Sequence, residues 1–262
     1  MKMMNRRCLM IDSANLCELK MNGPALRIRA ENKSRQWFPL RRISMVICLD
    51  MPAIGMNALA TTAQEGIPVN FFNRKGTLMA QLVHPGRIPN PLSHWLEGID
   101  NDTGLSAAYD LWLENQLRHT YGLIGCITCN SRYSAMAAET QLKKLARAAN
   151  CAGIIKQARE WFKGLLTAQI QMHGCRLGIS ASSTQLVRII QDLQEAGLMF
   201  CLTYMAATLR NQRAALGHGI ARFYESELSE NVDQWVIRAL YTLSGQLERT
   251  AMNHDAPLKR SS

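Results

Sequence analysis

Hydrophobic and polar positions divide the chain near residue 84. Before it, short apolar runs are bounded by turn residues, the pattern of strands. Cys8 to Ile11, Leu16 to Met21, Ala25 to Ala30 and Gln36 to Leu40 are four such runs. Asn22-Gly23 between the second and third predicts a hairpin, because both residues tolerate positive φ. Ile43 to Leu49 is almost wholly apolar and predicts a buried strand. Gly55 to Gln64 places Met56, Leu59 and Ala60 on one helical face, and Gly66 suits the left-handed residue that ends a helix. Ile67 to Phe72, a turn at Arg74-Lys75-Gly76, and Thr77 to Val83 complete the segment.

Pro85, Gly86, Pro89, Pro91 and Asn101-Asp102-Thr103-Gly104 punctuate the next stretch, which predicts a linker over 85–104. Beyond it the apolar spacing changes to three and four. Helices are expected over 106–121, 135–149, 154–171, 183–195, 198–215 and 231–248, with Gly197 and Gly217 as breakers. The class is α+β. A small β-rich domain over 1–84 is followed by an all-helical domain over 105–250 and a flexible tail over 251–262.

Charge adds to this outline. The formal net charge is +10, and it is unevenly placed. Residues 1–84 hold 12 Lys/Arg against 5 Asp/Glu, a net of +7, and residues 118–222 hold 13 against 4, a net of +9. Such a surface favours polyanions such as nucleic acid, or an acidic membrane face, although a basic chain also serves solubility. Glu225, Glu227, Glu230 and Asp233 then fall close together. No window is apolar enough to span a membrane, and no secretory leader is legible. The eight cysteines sit mostly in apolar runs, as reduced thiols of a cytoplasmic protein would.

The order of elements before residue 84 carries a resemblance. Pro39-Leu40-Arg41-Arg42 leads into the strand 43–49, then Gly55 and the helix at Asn57-Ala58-Leu59, then Glu65-Gly66-Ile67-Pro68-Val69-Asn70-Phe71-Phe72, then Arg74-Lys75-Gly76. This resembles the N-terminal β-domain of the CRISPR adaptation integrase family, the first CRISPR-associated nuclease. The resemblance covers about a third of the chain. It implies a homodimer paired through β-domains, double-stranded DNA as partner, and a small ferredoxin-like adaptation protein as a second partner. It also implies antiviral defence by DNA strand transfer, in which a 3′ hydroxyl attacks a phosphodiester at a Mg²⁺ or Mn²⁺ site.

The ligands are carried over position by position. His218 resembles the family's histidine. Glu227-Leu228-Ser229-Glu230 resembles the motif that ends in its later acid, which assigns Glu230. The family's first glutamate falls in a segment similar to Gly153-Ile154-Ile155-Lys156-Gln157-Ala158-Arg159-Glu160, where Lys156 stands at the acid's place. Glu160, one helical turn later, is the substitute candidate. A lysine there removes an anionic ligand and adds a competing cation. Two readings therefore stand: a metal-dependent endonuclease and integrase, or a catalytically degenerate relative that binds DNA or acts as a scaffold. An unrelated basic module is a third. Lys156, Arg159 and Lys163 form a candidate phosphate-contacting stripe, or a solvated helix face, with Arg210 and Arg213 as further candidates. His218 also reads as a plain loop residue, and Glu230 as an acid favoured by a helix N-terminus.

Other chemistries find little support. Cys126 and Cys129 form one close pair, and only His119 and Cys151 are at hand to complete a zinc site. No phosphate-binding glycine loop and no nucleophile triad can be assigned. The five tryptophans are scattered along the chain, so no stacking platform is evident.

Overall fold

The structure is a computed structural model. It describes residues 6–84, 92–128, 134–180, 183–211 and 219–255. The chain separates into two compact units, Met1–Pro85 and Gly86–Ser262.

The first unit is the predicted β-domain, and its strands follow the apolar runs. They are β1 (Arg7–Asp12), β2 (Leu16–Asn22), β3 (Ala25–Ala30), β4 (Gln36–Pro39), β5 (Ile43–Leu49), β6 (Val69–Phe72) and β7 (Leu78–Leu82). One sheet has the order β1-β5-β6-β7. Its first three strands are parallel and β7 is antiparallel to β6. Parallel neighbours need a crossover between them. The helix α1 (Met56–Gln64) supplies it between β5 and β6. The second sheet, β2-β3-β4, is an antiparallel meander. Asn22 pairs with Ala25 at the end of the predicted hairpin, and Gly23 takes φ +56°. Leu19 and Leu26 from the meander, Val46, Val69 and Phe71 from the first sheet, and Leu59 from α1 share one core. Gly55 precedes α1 at φ +82°, and a Cβ there would lie 2.5 Å from the Leu19 Cβ.

The second unit is helical: α2 (Leu92–Gly98), α3 (Thr103–Thr128), α4 (Ala135–Ala148), α5 (Ala152–Arg176), α6 (Thr184–Asn211), α7 (Ile220–Phe223) and α8 (Ser229–Asp255). A π-helical turn, Tyr224–Leu228, joins the last two. α5 lies at the centre, with Phe162, Leu165, Leu166 and Ile170 fully buried. α6 and α8 pack against it, and α3 packs on both of those. Three buried or half-buried polar links fix the packing. The Trp112 Nε1 donates to the Ala239 carbonyl at 2.9 Å, the Tyr109 hydroxyl donates to Asp192 at 2.6 Å, and the Gln246 amide donates to the Ala108 carbonyl at 2.8 Å. Burial and the Asp192 carboxylate together push the Tyr109 hydroxyl well above its ordinary pKa, so it stays a donor.

Two expectations are corrected here. The stretch read as a linker contains α2, a helix of 7 residues whose Leu92 and Leu96 are buried. It is too short to display periodicity in the sequence. Gly197 does not break a helix but lies inside α6. A Cβ at that position would come within 3.1 Å of Leu166 and of the Trp235 ring, so glycine there permits close helix packing. None of the described helices is long and apolar enough to cross a membrane.

Candidate nucleic-acid interface of the helical unit

The apolar face of α5 turns inward because Ala158, Phe162, Leu165 and Leu166 recur at helical spacing and are buried. The opposite face carries charge. Lys156 and Lys163 are exposed, Arg159 is half-buried, and Glu160 stands exposed among them. Spacings of three and four residues align these side chains along about two turns of the helix. The stripe keeps an excess of cations over its one acid. The Lys163 carbonyl and the Thr167 hydroxyl accept from the Gln194 amide at 3.2 and 2.6 Å, which pins this part of α5 to α6. Arg210 stands exposed in the last turn of α6. His218, Arg213 and Cys129 lie outside the described residues.

Glu230 is exposed on α8 just after the π-helical turn; α7, that turn and α8 run on as one helix from Ile220, so Glu230 stands inside the helix and not at its N-terminal end. One turn later Asp233 contacts His173 of α5, with 2.6 Å between its Oδ1 and the His173 Nε2. His173 is buried and the Asp233 side chain is 40% exposed, so the pair joins a core imidazole to a carboxylate at the surface. Sequence reasoning passed over this pair. The two residues are 60 positions apart, and nothing local to either signals the other.

The Phe162 ring lies 6.0 Å from the Tyr224 ring, and His173 lies against Asp233. Both contacts hold the 224–233 segment against α5. Carboxylates that share one cation must come within a few ångströms of each other. Among the described residues no group of three His, Cys, Asp or Glu side chains is placed to hold a metal ion. The implied Mg²⁺ or Mn²⁺ site would also draw on His218, which lies outside the described residues. The zinc alternative gains nothing either, for Cys151 is buried while Cys126 and His119 are exposed.

A pocket of about 320 Å³ opens on the other side of α8's first turns, between α3, α6 and α8, with Leu166 of α5 in its floor. Leu123, Phe200, Tyr204 and Trp235 wall it, and His119 and Arg238 stand at its mouth. The scattered tryptophans of the sequence hid this arrangement. Only the packing of α3, α6 and α8 sets Trp235 beside Tyr204 and Phe200.

Comparison with known proteins agrees with the resemblance read from residues 39–83. Residues 11–95 match the family model described as CRISPR associated protein Cas1. No curated protein matches the chain by sequence. Among solved structures, a Cas1 protein from Thermotoga maritima is similar in fold. Its TM-score is 0.64 at 14% identity, over 92% of this chain and 96% of that one. The complex of TtCas1 with DNA gives 0.60 at 12% identity, over 88% of this chain and 90% of that one. A casposase bound to integration product gives 0.58 at 12% identity, over 90% and 82%. The fold, a β-domain followed by a helical domain, is that of Cas1 proteins.

Proposed function

We propose that this chain is a DNA-binding protein of the CRISPR adaptation integrase type, which grips duplex DNA through the cationic face of α5. The observation that supports this most is the combination of a Cas1 family match over residues 11–95 with a Cas1 fold over nine-tenths of the chain. Lys156, Arg159 and Lys163, spaced for one helix face, supply point charges at intervals suited to a sugar-phosphate backbone. Arg210 and Arg213 are further candidate DNA contacts. The protein acts in this reading as a cytoplasmic homodimer, paired through its β-domains and joined by a small ferredoxin-like adaptation partner.

A specific observation favours the non-catalytic form of this reading. Lys156 occupies the place where the family resemblance implies a carboxylate. His218 and Glu230 remain the candidate Mg²⁺ or Mn²⁺ ligands of the catalytic form. The two forms separate in a strand-transfer assay with Mn²⁺ and a short duplex. The expected result is salt-sensitive duplex binding with little or no joined product. Robust joining that His218→Ala and Glu230→Gln abolish would establish the catalytic form instead. Failure to bind duplex DNA at low salt would overturn both.

A further inference from the structure

The meander β2-β3-β4 buries one face and leaves the other to solvent, and strand alternation decides what each face carries. Leu19, Leu26, Ile28 and Phe38 turn into the core of the β-domain. Glu18, Lys20, Arg27, Arg29 and Trp37 therefore turn outward. Directly opposed residues of antiparallel strands project to one side, and the register pairs Lys20 with Arg27 and Arg27 with Trp37. These three form a row across the sheet at steps of about 5 Å. Glu18 is the one acid on the three strands, and both of its oxygens are taken. Its Oε1 accepts from Arg27 at 2.6 Å and its Oε2 from Arg35 at 3.2 Å, which places Arg35 on the same outer face. Lys20 and Arg29 are exposed, and no ion pair of the described residues involves either. Four cations, Lys20, Arg27, Arg29 and Arg35, against the single Glu18 leave the face at a net +3. Trp37 stands at its edge, 54% exposed.

An exposed indole beside unpaired cations narrows the partner. A second copy of the chain on this face would set like charges against each other. An apolar surface would leave the cations without counter-charge. Duplex DNA would meet the cations but keep its bases stacked inside, away from Trp37. An unstacked base can lie on the indole while the phosphates beside it reach Arg27 and Lys20, in the order that the register sets them. We propose that the outer face of β2-β3-β4 is a platform for single-stranded nucleic acid, with Trp37 stacking one base and Lys20, Arg27 and Arg29 following the backbone. Stacking and charge pairing read neither base edges nor the sugar, so the ligand class is a single strand of any sequence. The platform belongs to the first unit and does not depend on the duplex contact proposed for α5 in the second. In the sequence Trp37 is solitary, and only the strand register brings the cations beside it.

The test measures the full-length chain by fluorescence anisotropy against three labelled ligands: an oligothymidylate of about eight nucleotides, an abasic strand of the same length, and a blunt duplex. Stacking of one base predicts about fivefold or tighter binding of the oligothymidylate than of the abasic strand. Trp37→Ala should remove that advantage and Trp37→Phe should keep part of it, with duplex affinity unchanged in both. Trp37 is exposed, so both variants should unfold at the wild-type temperature, which a thermal melt checks. Lys20→Ala together with Arg29→Ala should lower the slope of log K against log salt for the oligothymidylate by about 1.4. Equal affinity of the wild type and Trp37→Ala for the oligothymidylate overturns the platform and leaves the duplex reading standing. Displacement of the bound strand by oligoglutamate as readily as by unlabelled oligothymidylate also overturns it, for the face would then serve acidic peptides. Failure of the duplex to bind, with the Trp37 effect intact, overturns the α5 reading and leaves the platform standing.

Discussion

Gly174 is where the packing of α5 on α6 can be tested most sharply. It is buried in α5, and a Cβ there would lie 2.6 Å from the Leu186 Cδ1 and 3.6 Å from its Cδ2. Leu186 is fully buried, so its isobutyl group has no open side to move into. Two effects oppose each other in Gly174→Ala. Alanine within a helix is favoured over glycine by about 0.5–1 kcal/mol. Forcing a methyl into a filled core costs about 1–3 kcal/mol. The clash outweighs the propensity, and the net loss is about 1–2 kcal/mol. For a unit of this size that lowers Tm by about 2–8 °C, read by circular dichroism at a helix-sensitive wavelength. Gly245 of α8 is the matched control, since a Cβ there meets nothing within 4 Å. Gly245→Ala should raise Tm by about 1–4 °C from propensity alone. In a Leu186→Ala background the clash is gone, and Gly174→Ala should turn stabilising. Equal stabilisation by the two alanines in the wild-type background would refute the reasoning, for it would mean that Leu186 yields without cost.

Three other measurements test separate parts of the molecule. If Lys156 and Lys163 each neutralise one phosphate, replacing both with alanine lowers the slope of log K against log salt by about 1.8, and an unchanged slope removes them from the interface. Maleimide should modify Cys17 and Cys126 in the native chain while Cys48 and Cys201 react only after unfolding. Burial pushes the Cys48 thiol up to about 12 and drives the Cys201 thiol upward as well, and rapid native labelling of either would contradict this core. In the β-domain, partial burial would raise the Glu18 carboxyl, but hydrogen bonds and charge from Arg27 and Arg35 hold it below its ordinary 4.5. Its stabilising effect is therefore present above that pH and fades as pH falls through the depressed value. Glu18→Gln should lose stability relative to wild type at neutral pH and converge with it in acid. A gap that widens in acid would reverse the sign.

The β-domain was the most legible part of the sequence, because its signals are local. Ile43–Leu49 is a strand since seven residues in succession suit a buried pleat, and the turn at Gly23 needs only its own residue and its neighbours. The resemblance could be read there for the same reason, since it depends on order and spacing. α2 was missed because 7 residues are too few to reveal a period.

In the helical unit, local pattern specified that helices form and which faces are apolar, but not what those faces meet. Gly197 reads as a breaker in isolation. It is helical because Leu166 and Trp235, distant in sequence, close over the gap a side chain would fill. Glu160 looks like a neighbour of the acidic site when only helical spacing is counted. Contacts of Phe162 with Tyr224 and of His173 with Asp233, which no helical spacing signals, are what hold the acidic segment against α5. The aromatic pocket belongs to the same class, assembled from three helices with no shared motif. Sequence alone determined the elements, the charge and the family likeness, since these follow from residues near one another along the chain. Which side chains share a site was decided by tertiary packing, because the burial energy that selects a helix register comes from partners far away in sequence.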